Sequence, residues 1–215
     1  YKKELERLAI DLSWKSSQIE GNTYSLLETE RLLKDKETAA GKTKDEATML
    51  LNHKDALDFI IANPKYINPL RVSSIEDIHS ILVNDLDISR NIRSRRVGIS
   101  GTNYKPLDNA FQIKEALVSM CSLINTKKNV FEKALLSLVL ISYIQPFSDG
   151  NKRASVVLTA YFFEINQLDF IVGRFMREIE NIAVDVADNI IDRDLLHEII
   201  TSFIYEDDFS IELKM

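Results

Sequence analysis

Cysteine is almost missing from this chain. Its single thiol, Cys121, rules out an internal disulfide and lies in an apolar run, where it reads as a small core residue rather than a nucleophile. Glycine (6 residues) and proline (4 residues) are scarce, which disfavours a turn-rich β fold and favours helices. The three histidines, His53, His79 and His197, lie far apart without metal-ligand spacing, which argues against a zinc site. Basic excess is also missing. A net charge of -6 and a pI of about 5.2 argue against a general nucleic-acid-binding surface, so no nucleic acid is expected as a partner. No apolar run approaches the roughly 20 residues of a membrane span. The longest, 134–144, contains Ser137, Ser142 and Tyr143 and reads as a buried central helix; no membrane partner is expected. No apolar run directly follows Lys2 and Lys3, and the expected location is the cytoplasm.

What is present is helical periodicity. Hydrophobic content of 45% and charged content of 28% suit a soluble globular domain. Leu5, Leu8 and Leu12 open an amphipathic helix that Gly21-Asn22 should stop. Ser25-Leu26-Leu27-Glu28 is a capping box for a second helix carrying Leu32 and Leu33. Residues 36–43 read as a loop. Residues 45–61 read as a helix ended by Asn63-Pro64, and Ser73-Ser74-Ile75-Glu76 as the cap of the next. Residues 93–106, with Arg95, Arg96, Val97, Ile99, Tyr104 and glycines at 98 and 101, suit a short hairpin. Further helices are expected from Asp108 or Asn109 through Ile124, from Asn129 through 144, from Lys152 to about Ile165, and over 174–187 and 192–205. The fold class read from this pattern is all-α with one small β-hairpin. The apolar helix positions of the second half would serve a homodimer as well as a core.

The densest chemistry lies in Gln145-Pro146-Phe147-Ser148-Asp149-Gly150-Asn151-Lys152-Arg153, between two apolar helical segments. A helix starting near Lys152 leaves its first N–H groups unpaired and positively polarised. Gly150 can aim successive N–H groups at one point as an anion nest, and Asn151 can cap the helix. Arg153 can grip phosphate in bidentate fashion and Lys152 adds a point charge. Asp149 offers the hard oxygen that magnesium takes beside phosphate oxygens. Phe147 is expected to anchor the turn in the core. The plain alternative is a helix–helix connection, which any one of these residues alone would suggest.

The ordered set Pro146-Phe147-Ser148-Asp149-Gly150-Asn151-Lys152-Arg153 resembles the signature loop of the Fic (Fido) family, His-Pro-Phe-x-Asp/Glu-Gly-Asn-Gly/Lys-Arg. Ser16-Ser17-Gln18-Ile19-Glu20-Gly21-Asn22 resembles that family's inhibitory helix, Ser/Thr-x-x-x-Glu-Gly/Asn, and residues 93–106 resemble its target-docking flap. The resemblance implies a helical core binding ATP with Mg2+, a Fic domain over 25–215 and an N-terminal inhibitory helix over 1–24. It implies AMP transfer from ATP to a Ser, Thr or Tyr hydroxyl of a target protein. By position, Asp149 would hold the metal, Gly150, Asn151 and Lys152 would cradle phosphates, and Arg153 would contact them. Ser16 and Glu20 share a helix face, and Glu20 would pair with Arg153 and inhibit. Arg96, Val97, Gly98 and Ile99 of the flap would hold a target strand by main-chain pairing.

Two residues depart from the pattern. Gln145 stands where the family keeps its catalytic histidine, and an amide takes no proton near neutral pH. His79 and His197 lie far from it in sequence. Lys152 replaces a frequent glycine, and the Asn-Lys-Arg ending resembles the Doc-type branch, whose members transfer phosphoryl groups and have alanine at the position of Gly150. Three readings therefore stand side by side: an autoinhibited and impaired adenylyltransferase, a non-catalytic module that binds ATP with magnesium and a peptide strand, and a Doc-like phosphotransferase.

Overall fold

The computed structural model describes residues 2–98 and 103–164. Among them are seven helices: α1 (Lys2–Ile19), α2 (Leu26–Asp35), α3 (Lys44–Ala62), α4 (Val72–Leu82), α5 (Ala110–Thr126), α6 (Val130–Ile144) and α7 (Asn151–Glu164). The fold is all-α, as the periodicity indicates. The helices expected over 174–187 and 192–205 lie outside the described residues.

Most helix starts follow local chemistry. The capping box of α2 forms, with the Ser25 side chain accepting from Glu28 N–H and Glu28 reaching back to Ser25. Asn109 and Asn129 cap α5 and α6 through their side-chain oxygens. A second capping box, Thr43 with Glu46, opens α3; it was legible in the sequence but not recognised there. Ser73 is a correction. α4 begins at Val72, its N-cap is Arg71 and no side chain bonds the cap, so Ser73 lies inside the first turn.

A second correction concerns the centre. α6 buries only Ala134, Ser137, Ile141 and Ile144, whereas α7 is buried from Arg153 through Phe162. α7 is the central helix, packed on α1, α3, α4 and α6. The length of the α6 apolar run misleads because α6 covers one side of α7. α7 is enclosed on several sides, so even its Ser155 and Thr159 are buried. Their hydroxyls are satisfied within the helix by Lys152 O (2.7 Å) and Ser155 O (2.8 Å). The main core gathers Leu57, Ile60, Ile75, Ile78, Ile113, Leu117, Phe147 and Val157. Cys121 belongs to it, and burial pushes its thiol up to about 11. A smaller cluster of Tyr24, Leu32, Ala47 and Leu50 ties α2 to α3.

The expected hairpin is not found in the described part of its segment. No strand is present over 93–98 or 103–106, and 99–102, including Ile99, lie outside the described residues.

Candidate functional site

The turn between α6 and α7 is built by its own side chains. α6 ends at Gln145, which adopts a left-handed conformation (φ 50°) and whose N–H donates to Ile141 O at 2.9 Å. Phe147 is fully buried beneath the turn. Asn151 braces it: its side-chain oxygen accepts the Phe147 N–H at 2.9 Å, and its amide donates to Phe147 O (2.9 Å) and Gln145 Oε1 (3.0 Å). This corrects the expectation that Asn151 caps α7. It is the first residue of that helix, and its side chain is committed to the preceding loop. Gln145 is equally committed, because its Nε2 also donates to Ser142 O at 2.6 Å.

Gly150 is required twice over. Its φ is +78°, and a Cβ added there would lie 3.2 Å from His79 Nε2. Asp149 is exposed and accepts the Gly150 N–H on Oδ1 at 2.6 Å. Lys152 is exposed.

Arg153 points inward and is fully buried. Its Nη1 donates to Leu82 O at 3.0 Å, its Nε contacts Glu20 Oε2, and its Nη2 lies 3.9 Å from Asp149 Oδ2. Glu20 reaches it from the end of α1. There Asn22 N–H bonds Ser17 O (3.0 Å) and Gly21 N–H bonds Gln18 O (2.9 Å), with Gly21 at φ +87°. This 6→1 and 5→2 pair is a Schellman ending, and it leaves Glu20 as the last residue of the turn, aimed across the core. Burial pushes the Glu20 carboxyl above the usual range, while the Arg153 guanidinium pulls it down and Asp149 adds to the rise. The chain after Glu20 is clipped by Glu46, whose Oε1 accepts from Thr23 N (2.8 Å) and Thr23 Oγ1 (2.6 Å). These bonds, with those to Thr43, hold Glu46 down to about 2. Ser16 is buried with Ser13 and Ser17 on the same face of α1, and the hydroxyls of Ser16 and Ser17 have no hydrogen-bond partner.

The structure thus brings Ser16, Glu20, Asp149, Gly150, Asn151 and Arg153 into one region. Among the described residues no hydrogen bond or ion pair links the flap residues Arg96, Val97 and Gly98 to it. Arg96 pairs with Asp108 at 2.7 Å on the surface. Its neighbour Arg93, not singled out as a site residue in the sequence, is the real link. Arg93 is buried and donates to Gln145 O (2.6 Å), Ile144 O (3.4 Å) and Arg95 O (2.8 Å), while its own N–H donates to Pro146 O (3.0 Å). It therefore satisfies the carbonyls that α6 leaves open. No sequence signal distinguished it from the other arginines of the segment. His79 was also undervalued: it lies under the turn, but its Nε2 is engaged by Asp149 O, so it does not stand in for the missing base. His197 lies outside the described residues.

Residues 69–163 match the model of the Fic/DOC family. That segment resembles a Fic/DOC domain. It takes in α4 to α6, the flap segment, the whole turn and all of α7 but its last residue. The chain is similar in structure to a Fic-domain-containing signaling protein from Bacteroides thetaiotaomicron (23% identity, 77% of this chain and 67% of that one, TM-score 0.66). It is also similar to Fic-1 from C. elegans (20%, 77% and 50%, 0.65) and to a Fic family protein from Desulfovibrio desulfuricans (16%, 95% and 68%, 0.69). At these identities the likeness establishes the fold. A search of curated proteins found no match. α1 to α3 precede the matched segment, so the Glu20–Arg153 contact joins a helix outside the Fic/DOC match to a residue inside it.

Among the described residues no three His, Cys, Asp or Glu side chains gather as a metal cluster. Magnesium held beside a nucleotide does not require one, since one or two carboxylates plus substrate phosphates suffice. The exposed Asp149 carboxylate next to the Gly150 N–H fits that role. Among the described residues no helix is long and apolar enough to cross a membrane.

Proposed function

We propose that this Fic/DOC-like domain binds ATP with its phosphates at the turn 145–153. On this reading it is a protein adenylyltransferase scaffold that Glu20 restrains and Gln145 impairs. The observation that carries the proposal is the fully buried Arg153 engaged by Glu20 at that turn. A guanidinium at the first turn of a helix suits phosphate, and the carboxylate against it puts negative charge where a phosphate oxygen would go. Asp149 would hold Mg2+ together with the phosphates. The metal, when bound, neutralises phosphate charge.

Gln145 sets the expected rate. Its amide takes no proton near pH 7, and both of its polar atoms are already bonded within the turn. Loss of a general base costs typically 10²–10⁴-fold, so positioning alone must carry any transfer. The same observation favours a second reading, a module that binds ATP with magnesium without transferring AMP.

Transfer of label from α-labelled ATP onto the protein itself tests this. The chain, Glu20→Gly, Gln145→His and the double variant are compared, with γ-labelled ATP alongside. Label from the α-position only in the double variant supports the restrained transferase. Magnesium-dependent ATP binding without label in any variant supports the binding module. Label from the γ-position instead identifies a phosphotransferase. No ATP binding in any variant overturns the nucleotide reading.

A further inference from the structure

We infer that His79 is the positioning residue of the phosphate-binding turn. From α4 it fixes the Asp149–Gly150 peptide so that the Gly150 N–H and the Asp149 carboxylate face the nucleotide side. The inference rests on the nucleotide reading above.

Three contacts hold the imidazole in one place. Its ring stacks on Phe147 with centroids 3.6 Å apart and planes 3° from parallel. Its Nε2 lies 2.9 Å from Asp149 O. Its edge lies against Gly150, where nothing larger than hydrogen fits easily. A carbonyl oxygen only accepts, so Nε2 carries the proton and donates. His79 is fully buried, and its Nδ1 has no well-formed hydrogen-bond partner. Its one well-formed hydrogen bond is thus the one to the turn.

The consequence follows from peptide geometry. In a trans peptide the C=O and the next N–H point in opposite directions. With Asp149 O drawn toward α4, the Gly150 N–H is turned away from it. That N–H in turn binds Asp149 Oδ1 at 2.6 Å, which sets the carboxylate on the same outer side. One imidazole thereby orients the Gly150 N–H and, through it, the carboxylate proposed for the metal, and it touches neither ligand. The positive φ of Gly150 completes the arrangement.

The test compares binding of ATP with magnesium and of adenosine to the unmutated protein, His79→Phe and His79→Gln, each also with Glu20→Gly. Phenylalanine keeps the stack on Phe147 and removes the donor, while glutamine restores a donor near Nε2. The expected result is about tenfold weaker ATP binding in His79→Phe, the equivalent of one lost hydrogen bond. Adenosine binding should be unchanged, and His79→Gln should recover most of the ATP affinity. Unchanged ATP affinity, or a parallel loss of ATP and adenosine, overturns the positioning role. Failure of the unmutated protein and Glu20→Gly to bind ATP overturns the nucleotide reading, and the inference with it. Should His79→Phe not fold, ¹⁵N shifts of the unmutated protein decide: protonated Nε2 supports the inference and a bare Nε2 overturns it.

Discussion

Glu20 and Arg153 meet inside the protein, the carboxylate from the end of α1 against the guanidinium Nε in the first turn of α7. The arginine is fully buried and the glutamate side chain is 12% exposed, so water screens the pair poorly. Removing one partner strands the other, which is the costly way to break a buried pair. Glu20→Ala should lose about 3 kcal/mol in urea unfolding, because Arg153 then keeps only the Leu82 O hydrogen bond and the longer 3.9 Å pairing with the exposed Asp149. On the proposed function, ATP with magnesium should then raise the Tm of the variant more than that of the parent, by binding the folded state alone. An equal rise in both proteins counts against restraint by Glu20.

A pH effect is expected from His53, which is completely buried with Nδ1 3.3 Å from Ser13 Oγ. Burial first, and Arg153 second, hold its imidazole down to about 3. Between pH 6.5 and about 3 the unfolded chain therefore binds a proton that the folded chain refuses, and stability falls as pH falls. Glu20 acts with the opposite sign. Its raised carboxyl keeps a proton in the folded state above pH 4.5, so its contribution rises as pH falls toward that value. Replacing His53 by Gln should flatten the loss between pH 6.5 and 4 by up to about 1.4 kcal/mol per pH unit. Urea titrations at several pH values check this, and parallel curves for the two proteins refute it.

Arg93→Lys should destabilise by about 2 kcal/mol. The planar fork that reaches Ile144, Gln145 and Arg95 carbonyls at once has no equivalent in an ammonium group, and the bond to Ile144 O is buried. Equilibrium unfolding measures it.

Gly150→Ala should cost at least about 1 kcal/mol from the left-handed backbone alone, with more from the 3.2 Å approach to His79. A thermal melt measures the total. Combining it with His79→Ala should recover the steric part and leave the backbone part, a non-additivity that a double-mutant cycle resolves.

The sequence was most legible where structure is local. The Ser25–Glu28 capping box, the Asn109 and Asn129 caps and the Gly21-Asn22 stop place one end each of α2, α5, α6 and α1 by rules that span only a few residues. The turn 145–153 was legible as a unit because its residues act on one another: Asp149 on Gly150, Asn151 on Gln145 and Phe147. The exchange of roles between α6 and α7 was not, because burial depends on how many neighbours enclose a helix rather than on its own hydrophobicity.

By itself the sequence determined an all-α domain, the glycine that the turn requires, and an amide in place of a proton acceptor at Gln145. Only the tertiary structure decided which distant groups meet at the turn: Glu20 on Arg153, His79 under Asp149 and Gly150, and Arg93 on the carbonyls that close α6. Caps and periodicity act through the covalent neighbourhood and can be read along the chain. A carboxylate, an imidazole and a guanidinium separated by many residues are brought together only by packing around α7.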